Sequence, residues 1–323
     1  MVLSVCRNVS PKLEGGFTLT KSKFHRFLSQ WQLQWMVLPG IAFMIIFNYI
    51  PIYGIIIAFK NYTVVDSISS ADWVGLENFK IIFEDAFFWE AVRNTLAISL
   101  LKLALGFFIP IALAIMIFEM KDGKLKKTIQ TISYIPHFFS WIVLGGMLIS
   151  WLSTSGFLNQ VLMSLGVMDT GVNHLLEADR YWWIAVFSDL WKEVGWGTIL
   201  YLAGMSKIDP TFYEAARMDG ATKLTQIRKI TLPLLTPIIS LNLILAVSGI
   251  LGSNLDQTLV LMNTQNQNKS EVINSFVYRM GITQGDFSYA TAVGLGVSVI
   301  SIILLLITNQ VTKKMNNGRS VIL

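Results

Sequence analysis

The sequence is poor in charge and in cysteine. Of its 323 residues only 14% are Asp, Glu, Lys or Arg, whereas 53% are hydrophobic. A soluble domain carries about 25% charged residues, so this composition indicates a membrane protein. The single cysteine, Cys6, excludes an intrachain disulfide and a cysteine metal cluster. The polar N-terminal region contains no apolar run followed by a small-residue cleavage site, so we expect no cleaved signal peptide.

Signatures of catalysis are also missing. The sequence has no G-x-x-x-x-G-K-[ST] loop, so we expect that this chain does not hydrolyse ATP. The histidines His25, His137 and His174 have no metal-ligand spacing, and no Ser-x-x-Lys or Gly-x-Ser-x-Gly pattern supplies a nucleophile. These absences disfavour an intramembrane enzyme, and we expect no metal or cofactor on this chain. The net charge of +5 does not indicate nucleic acid, because the basic residues lie in short segments beside apolar runs.

Six long apolar runs are present instead. Each is long enough to cross a hydrocarbon core about 30 Å thick as a helix. Their continuous apolar character favours helices over the alternating strands of a barrel. We therefore predict an all-α membrane protein with about six transmembrane helices. The predicted spans cover residues 35–59, 90–118, 129–151, 181–205, 234–255 and 288–311.

Lysine and arginine are concentrated on one side of these spans. The two tails and the loops after the second and fourth spans hold 17 of the 25 basic residues. Cytoplasmic loops carry such an excess, so both termini are predicted to be cytoplasmic. The predicted regions are a cytoplasmic tail that allows an interfacial helix, a transmembrane domain with a long cytoplasmic loop at 206–233, and a second cytoplasmic tail. Their bounds are 1–34, 35–311 and 312–323.

This cytoplasmic loop has the longest polar helical pattern of the chain. Asp209 and Pro210 predict a helix start as N-cap and first helical residue. Gly220 predicts the end of that helix, and Thr222 predicts the cap of a second short helix that Pro233 closes. Two interpretations remain open: a docking element for a cytoplasmic partner, or an amphipathic linker on the membrane surface.

The same loop resembles the signature loop of permease subunits of ABC importers. The shared pattern is Glu-Ala-Ala, three residues, Gly, nine residues and Ile-x-Leu-Pro. The corresponding residues and their neighbours here are Glu214, Ala215, Ala216, Asp219, Gly220, Ala221, Ile230, Leu232 and Pro233. The stretches "GLENFKIIF" and "LYLAGMSKIDPTFYEAARMDGA" resemble sugar permeases of the type I importer fold. "WLSTSGFLNQ" and "VYRMGITQGDFSYATAVGL" are similar to the LplB-like branch, which handles complex oligosaccharides.

The resemblance implies a multi-pass permease of the bacterial plasma membrane. It implies that residues 206–233, the coupling loop, sit in a cleft of an ATPase subunit that holds ATP and Mg. The implied partners are a second homologous permease, two ATPase subunits, an extracytoplasmic solute-binding protein, an oligosaccharide and the lipid bilayer. A passive channel or an ion-coupled secondary carrier is the alternative, and it is disfavoured because neither needs a glycine-centred docking loop.

Polar and aromatic residues inside the spans are the candidates for a substrate pathway. Charges inside a membrane are costly and mark functional sites by default. Sugars stack their apolar faces on aromatic rings and need polar partners for their hydroxyls. Lys192 and Glu193 also fit a structural ion pair, and if only one tryptophan of the fourth span lines a cavity we favour Trp191. The candidates are Trp191, Trp196, Lys192, Glu193, Asn254, Trp151 and Lys102.

Overall fold

The computed structural model describes residues 31–252 and 255–315, and most of these are helical. The chain divides into two compact units between Gly54 and Ile55. The described part of the first unit consists of helix α1 (Trp31–Met44), a π-helical turn (Ile45–Tyr49) and the start of a 3-10 helix (Ile50–Phe59).

The second unit contains the remaining elements. A short antiparallel pair of strands, with Lys60 opposite Trp73, precedes a series of helices. In chain order the elements are β1 (Lys60–Asn61), β2 (Asp72–Trp73), α2 (Glu77–Glu84), α3 (Ala86–Glu119), α4 (Lys124–Tyr134), α5 (Trp141–Trp151), α6 (Phe157–Ser164), α7 (Tyr181–Met205), α8 (Pro210–Met218), α9 (Lys223–Gln226), α10 (Leu232–Ser248), α11 (Leu255–Leu261), α12 (Gln267–Ser270), α13 (Ile273–Tyr278) and α14 (Phe287–Met315).

Four helical stretches of the described residues are long and apolar enough to cross a membrane. They are Gln34–Phe59, Ala86–Glu119, Lys223–Ser248 and Phe287–Lys314, and a bent pair formed by α4 and α5 makes a fifth if it counts as one span. Helix α7 has 25 residues, which is sufficient length, but it carries Asp189, Lys192 and Glu193. The predicted fourth span is therefore a helix, but it is more polar than the other spans.

The predicted third span, residues 129–151, is wrong as a continuous helix. Helix α4 ends in a 3-10 turn (Ile135–Phe138), and α5 starts at a bend of 100°. Pro136 lacks the amide hydrogen that would continue the helix. The Ser140 side chain then accepts the Val143 N–H and caps α5. The two halves differ in composition, since α4 is amphipathic with many polar residues whereas α5 is almost entirely apolar.

The predicted fifth span, residues 234–255, is wrong at both ends. Helices α9 and α10 form one continuous stretch through a π-helical turn (Ile227–Thr231), so the second helix of the coupling loop is not a separate short helix. Pro233 is tolerated because it lies at the start of α10, beside the wider π turn. The stretch ends at Ser248, where Gly249 follows as the C-cap.

The first and last described helices overlap the predicted tails. Helix α1 begins at Trp31 and α14 reaches Met315, so both helices extend past positions 34 and 312. The rest of the predicted tails, 1–30 and 316–323, lies outside the described residues.

Helix α3 is the axis of the second unit. It packs along α7, and α10 packs against α14. Three buried apolar clusters follow each other along α3, around Ala91, Ile98 and Ala114. Lys102 lies on α3 between the second and the third of these clusters and meets polar residues of other helices there.

Candidate functional site

The coupling loop begins with a capped helix, as the sequence predicts. The Asp209 carboxylate accepts the Thr211 N–H at 2.9 Å, and Pro210 is the first residue of α8. This hydrogen bond lowers the pKa of Asp209, because it favours the charged form. The predicted N-cap and the predicted proline position are confirmed.

The end of α8 is also confirmed. Gly220 has a φ of 74°, in the left-handed region that favours glycine. The Ala221 N–H donates to the Ala216 carbonyl at 2.8 Å, and the Gly220 N–H donates to the Arg217 carbonyl at 3.0 Å. These two bonds form a Schellman motif. Thr222 then caps α9 by accepting the Thr225 N–H at 3.3 Å.

One face of the coupling loop is exposed, and the other packs against the rest of the chain. Tyr213 is buried, and its hydroxyl lies 3.0 Å from the Thr231 hydroxyl in the π turn. Met218 on the opposite face is 89% exposed. A Cβ atom added to Gly220 would have no neighbour within 4 Å. The positive φ therefore limits which residues fit at position 220, while the described side chains around it leave open space.

The predicted coupling residues differ in exposure. Lys223 at the start of α9 also pairs with Glu119 at the end of α3, which ties the loop to the helix bundle. The exposed residues of the motif are Glu214, Ala215, Asp219, Gly220 and Pro233, and the half-buried ones are Ala216, Ala221, Ile230 and Leu232.

A polar cluster joins α3, α7 and α11 in the middle of the bundle. Lys102 pairs with Asp189 at 3.0 Å and donates to the Gln257 amide oxygen at 2.6 Å. The Gln257 amide nitrogen donates to the Ala185 carbonyl and to the Ser188 hydroxyl, both at 2.8 Å. The Lys102 charge is therefore both paired and hydrogen-bonded, as a charge in this environment requires.

A second set of contacts connects α7 with the 3-10 turn between α4 and α5. Lys192 and Glu193 form the ion pair that was one of the two interpretations of the sequence, at 2.9 Å. Lys192 also donates to the His137 carbonyl at 2.7 Å, and Glu193 lies 2.7 Å from His137 Nδ1. The Trp196 ring stacks on the His137 ring, with centroids 4.2 Å apart and planes at 4°. His137 is a residue that the sequence did not identify, because its partners are more than 50 positions away.

One face of α7 lines the space beside this cluster. A cavity of about 470 Å³, the central cavity, is lined by Lys102, Asp189 and Glu193, with the polar groups of Tyr201 and Asn242. A neighbouring pocket of about 180 Å³ shares Asp189 and Glu193 and adds Trp196. Positions 189, 193 and 196 are spaced by four and three and share one helix face. That spacing is a signal in the sequence that would have added Asp189 to the candidates.

The two candidate tryptophans of α7 lie in different places. Trp191 lines an apolar groove of about 650 Å³ together with Trp151, and their ring centroids are 6.1 Å apart. The sequence favoured Trp191, but the ring that lines a pocket together with Asp189 and Glu193 is Trp196. Five positions along a helix separate two side chains by about 140°. Asn254, the remaining candidate, lies outside the described residues.

Sequence comparison places this geometry among known proteins. The family described as "Binding-protein-dependent transport system inner membrane component" matches residues 106–317. The polygalacturonan/rhamnogalacturonan transport system permease protein YteP of Bacillus subtilis (strain 168) is 36% identical over 290 residues, which cover 90% of each chain. Protein LplB of the same organism is 38% identical over 282 residues, which cover 86% of this chain and 87% of LplB.

Solved structures are similar along almost the whole chain. One is the crystal structure of a bacterial ABC transporter involved in import of the acidic polysaccharide alginate. It matches with a TM-score of 0.83 and 33% identity, over 90% of this chain and 98% of that one. The alginate transporter in complex with an alginate pentasaccharide-bound periplasmic protein gives a TM-score of 0.84 and 32% identity, over 92% and 99% of the two chains.

Proposed function

The chain belongs to the binding-protein-dependent transport system inner membrane component family, and we propose from this membership how it carries an oligosaccharide across the membrane. It is a multi-pass permease subunit of an ABC importer, like the sugar permeases to which it is similar. In such importers the ATPase is a separate subunit, so this chain supplies the membrane passage and not the hydrolysis. A solute-binding protein delivers the cargo, as the alginate importer complex illustrates.

The observation that carries this proposal is the shape of the coupling loop. Its Schellman turn at Gly220 projects Glu214 and Met218 from the bundle, while Tyr213 fixes the opposite face. A rigid, exposed and partly apolar turn is suited to insertion in a cleft of another protein. We infer that the occupant of this surface is the ATPase subunit, which holds ATP and Mg.

The proposed assembly contains four membrane-associated chains. A second homologous permease completes the pathway. This chain supplies α3, α7 and α10 as walls of the central cavity, and the second permease supplies the walls that face them. Two ATPase subunits bind the two coupling loops. In this arrangement α7 and the bent pair each count as a span, giving six spans with cytoplasmic termini.

The proposed substrate contacts lie on the face of α7 that carries Asp189, Glu193 and Trp196. Carboxylates accept hydrogen bonds from sugar hydroxyls, and an exposed ring offers a flat surface to the sugar C–H face. Asp189 and Glu193 are 29% and 41% exposed at their side chains, and both line the central cavity. Lys192 is 8% exposed and serves to position Glu193.

The decisive experiment compares two substitutions of Gly220. Gly220→Asn keeps a residue that adopts positive φ, so we expect binding of the ATPase subunit to persist. Gly220→Trp adds bulk in the space reserved for the partner, and we expect membrane insertion without ATPase binding. Co-purification measures both. Binding of the ATPase subunit by the Trp variant would refute the docking role, and ATP-independent uptake in vesicles would favour a channel or an ion-coupled carrier.

A further inference from the structure

The apolar groove has no part in the pathway described above. It lies at the end of α7 that is farthest from the coupling loop, between α5, α6 and the first turns of α7. Its volume of about 650 Å³ falls in the range of about 300–1,000 Å³ that is typical of ligand sites. Its α7 wall is formed by Trp183, Ile184, Phe187 and Trp191, and the wall opposite includes Trp151.

The dimensions of the groove match one leaflet of a bilayer. Trp183, Phe187 and Trp191 are four positions apart and form one stripe along α7. Arg180 stands immediately before α7, also at the groove. The eleven residue-to-residue steps from Arg180 to Trp191 extend about 16 Å at about 1.5 Å per step. Half of a hydrocarbon core of about 30 Å is about 15 Å.

Arg180 leaves a positive charge at the open end of this stripe. Its Nη1 donates to His174 Nδ1 at 2.6 Å, and His174 Nε2 lies 3.0 Å from the Asn159 side-chain oxygen. His174 therefore accepts from Arg180 as a neutral ring, and burial and the Arg180 charge both lower its pKa. Among the described residues, no carboxylate is within 4.0 Å of Arg180; the adjacent Asp179 also lines the groove, but its charge is paired with Lys269 at 3.6 Å.

We propose that this groove binds a phospholipid, with its phosphate at Arg180 and an acyl chain along Trp183, Phe187 and Trp191. Arginine recognises phosphate through its planar set of donors, and aromatic rings are typical of the membrane interface. A site with a positive charge at one end and a long apolar wall suits a ligand with an anionic head group and an apolar tail.

An oligosaccharide fits this groove less well. Sugar hydroxyls need several hydrogen-bonding partners in a site that excludes water. The polar lining residues His174, Asp179 and Arg180 all precede α7 and lie at one end of the groove. Along the rest of the lining Ser188 is the hydroxyl-bearing side chain, and it already donates to the Ile184 carbonyl and accepts from Gln257. The groove and the central cavity lie on opposite sides of α7, so lipid in one leaves the other free.

The test uses the complete importer in phosphatidylcholine vesicles that contain a small fraction of phosphatidylglycerol with a photoreactive acyl chain. Crosslinked peptides are identified by mass spectrometry. We expect labelling to concentrate on residues 148–158 and 183–191 and to be displaced by unlabelled phosphatidylglycerol. Arg180→Gln removes a charge-assisted hydrogen bond, so groove labelling should fall about tenfold. Arg180→Lys should retain most of it.

Two further variants control this experiment. Arg93→Gln removes an exposed arginine that donates to the Asn268 carbonyl and does not line the groove, so labelling should stay unchanged. Ile184→Trp fills the groove and should abolish labelling while Arg180 is intact. This variant tests the groove independently if Arg180→Gln lowers the melting temperature of the protein. Uniform labelling of all helices, or equal labelling of the Ile184→Trp variant, would overturn the proposal. Displacement by oligosaccharide alone would assign the groove to the sugar pathway instead.

Discussion

The coupling loop and the polar cluster of α7 are built in opposite ways. In the loop, Asp209, Gly220 and Thr222 each act on backbone groups within about five positions. In the cluster, His137 meets Glu193 across 56 positions and Lys102 meets Gln257 across 155. The loop can therefore form from local sequence and remain open to a partner, whereas the cluster exists only when the whole bundle is packed. Substitutions in the loop should change coupling, and substitutions in the cluster should change the fold as well.

The largest effect is expected at Gly195, where the cluster depends on close packing. A Cβ atom here would lie 1.9 Å from the Ser133 carbonyl oxygen, so α7 and α4 would have to separate. Gly195→Ala should destabilise the fold by about 3 kcal/mol, the upper end of typical overpacking costs. Thermal melting of the purified complex measures this. Gly146→Ala is the matched control, because its Cβ would meet nothing within 4 Å. Equal melting of the two variants would contradict the predicted contact.

The next effect distinguishes the two tryptophans of α7. Trp196 lies beside Asp189 and Glu193, and Trp191 lies in the apolar groove. Trp196→Ala should lower the affinity of oligosaccharide uptake about tenfold, equivalent to about 1.4 kcal/mol, while Trp191→Ala should lower it less than about twofold. Uptake by reconstituted vesicles measures both, and basal ATPase activity reports whether each complex is intact. A larger loss for Trp191→Ala would restore the original preference for that residue.

A smaller effect is expected at Glu214 in the coupling loop. This exposed carboxylate is free to meet a polar group of the ATPase subunit. Glu214→Ala should reduce substrate-stimulated ATP hydrolysis about threefold to tenfold while the complex still assembles, since one such hydrogen bond contributes about 0.5–1.5 kcal/mol. Asp122→Ala removes a carboxylate that is 96% exposed and lies outside the loop, and it should have no effect. If the two variants behave alike, Glu214 only matches the helix dipole.

The smallest effect is expected where the two regions are tied together. Glu119 and Lys223 connect α3 to the coupling loop, but the lysine side chain is 67% exposed. Glu119→Gln should therefore change the free energy of unfolding by only about 0.2–1 kcal/mol. The change should vanish in about 1 M salt, where the Debye length is about 3 Å. Melting temperatures in low and high salt check this, and a salt-independent loss would point to packing instead of charge.

The sequence predicted most of the helices and nearly all of the coupling loop. Apolar runs suffice to locate α3, α7 and α14, and caps and a glycine suffice to locate α8. The breaks were harder. Each proline removes one backbone hydrogen bond. At Pro136 a 3-10 turn forms and the helix bends, whereas before Pro233 a π turn lets the helix continue. Packing against neighbouring helices decides between these outcomes.

The candidate site was predictable only in part, for a related reason. Charges in a span indicate a polar site, and Lys102, Lys192 and Glu193 do converge there. The ring that accompanies Glu193 is Trp196, three positions further along the same helix face. Trp191, by contrast, is only a neighbour of Lys192 in the chain. His137 was missed because a histidine acquires its role from partners that only the fold brings together.

The continuity of α9 and α10 has a mechanical consequence. The stretch from Lys223 to Ser248 has 26 residues and is about 39 Å long, with one end in the coupling loop and the other near Gly249 at the central cavity. A hinge between two separate helices would absorb a displacement of the loop, whereas one continuous helix transmits that displacement to its other end. A tilt of about 5° moves its far end by roughly 3 Å, about the reach of one hydrogen bond. We therefore expect a small displacement of the coupling loop to move Asn242, which lines the central cavity, by a comparable distance.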